Sequence, residues 1–139
     1  MSISARTYNS DRVDTFYTSD ELLSYPNFNN IRRLDIRLLI DLKTFPCNLE
    51  VLCYDNLKIK SLPQLPLSLK KLSVRSCRIE KLPDFSLFTQ IEELDLYDNF
   101  LTELTSLPPN VRTVITNMGS IGIFSQSSNN FVADFSQLF

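Results

Sequence analysis

A chain of 139 residues with 43% apolar and 22% charged side chains has the length and balance of one soluble globular domain. Its two glycines, Gly119 and Gly122, cannot supply the phosphate loops or nucleophile elbow that need several glycines at fixed spacing, and the absence of histidine removes Ser-His-Asp triads and H-E-x-x-H zinc sites. A formal charge of -2 speaks against nucleic-acid binding, no apolar run reaches the roughly 18 residues of a membrane span, and Cys47, Cys53 and Cys77 form neither a C-x-x-C pair nor an even disulfide set, which favours a reducing, cytoplasmic compartment.

Along the chain, residues 1–12 are polar and are expected to fray. From there most of the chain's 22 leucines fall into a repeat. The clearest copies are LEVLCYDNLKIKSLP from Leu49, LKKLSVRSCRIEKLP from Leu69 and IEELDLYDNFLTELT from Ile91, each with apolar side chains at offsets 0, 3, 5, 10 and 13. An earlier copy carries Ile31, Leu34, Ile36, Leu42 and Phe45 with a one-residue slip, and a later one Val111, Val114, Thr116, Ile121 and Phe124. A weaker copy starts at Val13, with Phe16, Thr18, Leu22 and Leu23, and Tyr25, Pro26 and Phe28 are expected to cover its back. The starts at 13, 31, 49, 69, 91 and 111 lie 18 to 22 residues apart, so residues 13–124 form about five to six repeats and 125–139 a C-terminal cap. Offsets 3 and 5 alternate on a short strand and point inward; offsets 0, 10 and 13 fill the same core from the returning segment. One such unit cannot bury its apolar face alone, whereas stacked copies can.

The returns Leu62-Pro63-Gln64-Leu65-Pro66, Leu82-Pro83-Asp84-Phe85 and Leu107-Pro108-Pro109 resemble the L-P-x-L-P backs of short leucine-rich repeats in secreted effectors of pathogenic bacteria and related viral proteins. Over residues 31–124 the resemblance implies an α/β-type repeat solenoid, a short horseshoe with a parallel concave sheet and a mostly extended or 3-10 convex side. It also implies a pathogen-encoded, non-catalytic factor acting on a protein in host cytoplasm. The helical N-terminal cap and the ubiquitin-ligase domain of many such effectors have no counterpart in the sequence. Of the asparagine-ladder position at offset 8, only Asn99 is asparagine; Cys77 is an accepted substitute, and a slip that lets Asn56 serve for Leu57 is one way to fill a third rung.

Alternation places offsets 2, 4, 6 and 7 on the concave face. The side chains there that suit protein docking are Arg33, Asp35, Arg37, Asp55, Lys71, Arg75, Glu93, Asp95, Tyr97 and Asp98, a bipolar surface with arginine and tyrosine anchors. The plainer alternative is an ion-pair ladder of Arg37, Asp55 and Arg75 on a solvated sheet, each pair contributing about 0 to 1 kcal/mol. Glu93 and Asp95 share one side of a strand, but an open sheet does not enclose an acid to raise its pKa, and Cys53 has no histidine base and acidic neighbours. No catalytic, cofactor or metal residues are therefore assigned. The expected partner is a protein, with no nucleic acid and no membrane. Phe124, Phe131, Phe135 and Phe139 make the C-terminal edge either a cap or a weak homodimer contact, and self-assembly through that edge is the alternative function.

Overall fold

The structure, a computed structural model, describes residues 1–7, 12–40, 42–101, 103–104, 106–116, 119–122 and 133–134. Among them, strands β1 (Ile3–Thr7), β2 (Val13–Phe16), β3 (Ile31–Ile36), β4 (Val51–Asp55), β5 (Lys71–Arg75), β6 (Glu93–Asp95), β7 (Glu103–Leu104), β8 (Thr113–Thr116), β9 (Gly119–Gly122) and β10 (Ala133–Asp134) are joined by one short helix, α1 (Ser19–Leu23), and a 3-10 turn at Phe28–Asn30. Eight strands form one sheet in the order β2-β1-β3-β4-β5-β6-β8-β9, and β7 pairs with β10 on the return side. The result is a mostly-strand solenoid of about four turns with almost no helix.

Its middle is parallel and in strict register. Leu34, Leu52, Leu72, Leu94 and Val114 sit side by side on consecutive strands, as do Arg33, Val51, Lys71, Glu93 and Thr113. The first row is entirely inside, together with Ile36, Tyr54, Val74 and Leu96 at offset 5 and Ile31, Leu49, Leu69, Ile91 and Val111 at offset 0. Fully burying one such side chain stabilises the fold by about 1.5–3 kcal/mol, so repetition of the row is the main source of cohesion. The returns contribute a further inner row, Leu65, Phe85 and Leu107, with Phe88 edge-on to Phe85. Turns close them: the carbonyls of Pro46 and Pro108 accept from the amides of Leu49 and Val111, both at 3.2 Å. Proline fits there because the turn asks it only for an acceptor and for its fixed φ.

After β4, β5 and β6 the chain turns without glycine. Asn56, Ser76 and Asp98, all at offset 7, take left-handed φ values of 57°, 55° and 58°. Asn and Asp tolerate that region because their short polar side chains find local partners. Asn56 is thus the turn residue, and the apolar Leu57 fills the interior next to it, which corrects the expected slip in which Asn56 would take the ladder position.

Both ends depart from the simple stack. β1 is antiparallel to β2 and to β3, with Ile3 and Ala5 buried, so Ile3–Thr7 is a central strand of the sheet and not part of a fraying tail. Ile3, Ala5 and Thr7 alternate along a strand of only five residues, and the buried row they extend overcomes the polarity between them. The copy at Val13 is accordingly one arm of a hairpin: Val13 is 43% exposed, while Phe16 packs edge-on against Tyr25. Tyr25 donates to Asp14 Oδ2 at 2.8 Å and so ties the segment after α1 to β2. Thr18 caps α1 by accepting from the Glu21 amide, and Glu21 accepts from the Tyr17 amide at 2.7 Å, a variant of the capping box. At the other end β9 turns back antiparallel on β8, with Thr116 opposite Gly119, which places Ile121 on a sheet strand instead of the return expected for offset 10. Phe124, Phe131, Phe135 and Phe139 lie outside the described residues; of the segment 125–139 only Ala133–Asp134 is described, paired with Leu104 and Glu103.

Candidate functional site

The sheet's outward face and the segments that directly follow its strands carry the ten side chains singled out from the sequence. Successive strands bring them together because residues two apart share a face and parallel neighbours lie about 4.8 Å apart. Arg33 grips Asp35 through two hydrogen bonds of 3.0 Å, Nε to Oδ2 and Nη2 to Oδ1. Lys71 Nζ lies 3.3 Å from Glu93 Oε1, its register partner on β6. Arg37 approaches Asp55 at 3.7 Å, and Arg75 approaches Asp95 at 3.6 Å while lying over the Tyr97 ring, 4.9 Å from its centre. Asp98 accepts from the Ser76 hydroxyl at 2.8 Å, which links the left-handed turns of two neighbouring rungs.

Arg33, Asp35, Arg37, Asp55, Lys71, Arg75 and Asp95 line one shallow depression of about 250 Å³, together with Cys53, Tyr54 and Ser73. Glu93, Tyr97 and Asp98 are outside its lining. The centre line of the face is less exposed than alternation alone predicts: Ser73 and Asp95 are buried, at 7% and 8% exposure. Asp95 is held there by Arg75 and by the Tyr97 amide, which donates to its Oδ1 at 3.1 Å.

Cys53 sits on the same line, half-buried. Burial, reinforced by the Asp35 charge, pushes its thiol up to about 11, against a counter-pull from Arg33. A thiol that holds its proton so firmly is a poor nucleophile near neutrality. Glu93 and Asp95 are each engaged by a cation, Lys71 and Arg75 respectively, and do not converge on an enclosed space. All four named cations of the face lie within 3.7 Å of a carboxylate, so no bare cationic cradle faces solvent there. No group of three or more metal-ligating side chains occurs among the described residues, and no helix among them is long and apolar enough to cross a membrane.

Beneath the face runs a buried polar column that the sequence only hinted at. Asn99 Oδ1 accepts from the amides of Cys77 and Ile79, both at 3.1 Å, and Nδ2 donates to the carbonyls of Val74, Leu96 and Tyr97 at 2.6, 3.0 and 3.3 Å. Cys77 repeats this one rung earlier: its Sγ donates to the Arg75 carbonyl at 3.0 Å and accepts from the Leu57 amide, a contact that opposes the upward push of burial on the thiol. A second column lies at offset -1, before each strand, where Asn48, Ser68 and Asn110 donate to the carbonyls of Asn29, Leu49 and Thr89. Its signal in the sequence was Asn30, Asn48, Ser68, Gln90 and Asn110, a polar residue before every apolar offset 0. No protein-family model, curated protein or solved structure matches the chain.

Proposed function

We propose that the chain is a leucine-rich-repeat recognition module without catalytic activity, which docks a partner protein on the concave strand face. The observation that carries this is the Asp95–Arg75–Tyr97 cluster beside the depression. There an arginine is clamped between a buried carboxylate and an aromatic ring, which presents a large anchor of fixed shape. Anchors already ordered in the free protein lose little freedom on binding, and arginine and tyrosine are the side chains on which interface energy concentrates. The leucine-rich-repeat assignment is supported by the 20-residue spacing of the β4 and β5 copies, the L-P backs, and the matching contacts of Asn99 and Cys77 at offset 8. If the resemblance to pathogen effectors extends to use, the partner is a host cytoplasmic protein.

Crosslinked partner capture with wild type, with Arg37→Glu/Arg75→Glu and with Lys60→Glu on the return side tests the docking face. A single partner lost by the double variant and kept by Lys60→Glu is the expected result. Equal recovery of that partner by all three removes the concave face as its site.

A further inference from the structure

Immediately before each parallel strand's face-forming residues, at offset 1, the chain places Arg32, Glu50, Lys70, Glu92 and Arg112, so the sign of charge alternates at every rung. Backbone bonds lock the column: the amides of Glu50, Lys70, Glu92 and Arg112 donate to the carbonyls of Arg32, Glu50, Lys70 and Glu92 at 2.8, 2.8, 2.9 and 2.8 Å. Arg32 is turned onto the Asn48 carbonyl, 3.2 Å from Nη1. The remaining four form a row of negative, positive, negative, positive, with Lys70, Glu92 and Arg112 exposed and Lys70 bridging to Glu50 at 3.3 Å. Beside it lies a cleft of about 420 Å³ lined by Lys70, Thr89, Gln90, Glu92, Asn110 and Arg112.

A row of even length with alternating signs is complementary to itself reversed. A two-fold axis through its midpoint sets Glu50 opposite Arg112 of a second copy and Lys70 opposite Glu92, four opposite-charge pairs with no stagger. Two-fold contacts are isologous, so this match of each half of the row to the other is what such an interface requires. A partner of one charge sign meets as much repulsion as attraction here, which excludes acidic or basic tails and polyanions. We propose that this strand-start edge is a self-complementary dimer contact between two copies of the chain. Exposed pairs are individually weak, so the dimer is weak and salt-sensitive.

Sedimentation velocity over a concentration series, in about 20 mM and about 0.5 M salt, reads this directly. Wild type is expected to dimerise at low salt, with the dissociation constant rising at least tenfold at high salt. Glu50→Lys/Glu92→Lys and Lys70→Glu/Arg112→Glu are each expected to be monomeric with unaltered circular dichroism, and an equimolar mixture of the two to regain the dimer. A wild type that stays monomeric in low salt at millimolar concentration overturns the proposal, as does a dimer that resists 0.5 M salt, which assigns association to another surface. Failure of the two folded variants to associate on mixing overturns it as well.

Discussion

Two sets of polar contacts run along this solenoid, one inside and one on its open face, and they use similar chemistry to different effect. Asn99 and Cys77 hold the interior turns through hydrogen bonds to backbone groups that water cannot reach. Arg37, Asp55, Lys71 and Glu93 meet on the face at comparable distances, but with side chains 38% to 62% exposed. Leaving a buried backbone group without a partner costs about 1–3 kcal/mol, whereas an exposed ion pair contributes about 0–1 kcal/mol. Burial, and not the number of contacts, separates the column that holds the fold from the charged face that contributes little to it.

The sharpest way to break this contrast is Asn99→Ala. It strands the Cys77 and Ile79 amides and the Val74 carbonyl together, and the expected loss is about 3–5 kcal/mol in urea denaturation, read as a lower midpoint with unchanged slope. Asn99→Cys is expected to lose markedly less, because Cys77 already makes the equivalent contacts one rung away. Equal losses for Ala and Cys would show that a thiol at this position replaces none of the amide's hydrogen bonds and that Cys77 is no equivalent of Asn99. Next comes the apolar end of the stack. Ile3→Ala is expected to cost about 2–5 kcal/mol, as for other fully buried aliphatic side chains, and a loss under about 0.5 kcal/mol would place β1 outside the cooperative unit.

The difference between the two columns also explains what the sequence makes legible. The row Leu34, Leu52, Leu72, Leu94 and Val114 and the face residues beside it were readable because period-two alternation and a repeat of near-constant length together fix both the inward side and the register. Alternation does not distinguish parallel from antiparallel neighbours, so Phe16 fits the repeat pattern while belonging to a hairpin. Ile3 and Ala5 are too few to announce a strand within a polar segment. Asn56 and Asn99 are the same residue type one position apart in the repeat, and only backbone conformation assigns the first to a left-handed turn and the second to the interior. The burial of Asp95 was illegible for a related reason: it goes with contacts to Arg75 and to the Tyr97 amide, which alternation along the strand does not announce.

Cys53 lies between the two extremes and reports on them through pH. Its folded thiol is raised from its ordinary value of 9.0 to about 11, mainly by burial, so the folded state binds the proton more tightly than the unfolded state. The stability that this represents is complete below pH 9 and is lost as pH rises towards 11. Cys53→Ser is expected to flatten that part of the stability profile. At pH 8, a disulfide reagent is expected to modify the exposed Cys47 well before Cys53, and comparable rates at both would show that the face is open to solvent at Cys53.

The smallest effect belongs to the face itself. In a double-mutant cycle on Arg37→Ala and Asp55→Ala, the coupling is expected to be about 0–1 kcal/mol, because the 3.7 Å pair has 62% and 50% of its side chains exposed and its attraction is screened. The same cycle on Arg75 and Asp95 is expected to give more, since the Asp95 side chain is only 12% exposed and Arg75 is also braced on Tyr97. That ordering bears on the proposed docking face. If Arg75 is coupled and Arg37 is not, the face has one rigid cluster with mobile charges around it, and removing Arg37 leaves the fold unaltered. Equal coupling at both pairs would make the whole face a rigid ladder and would remove the reason to single out Arg75.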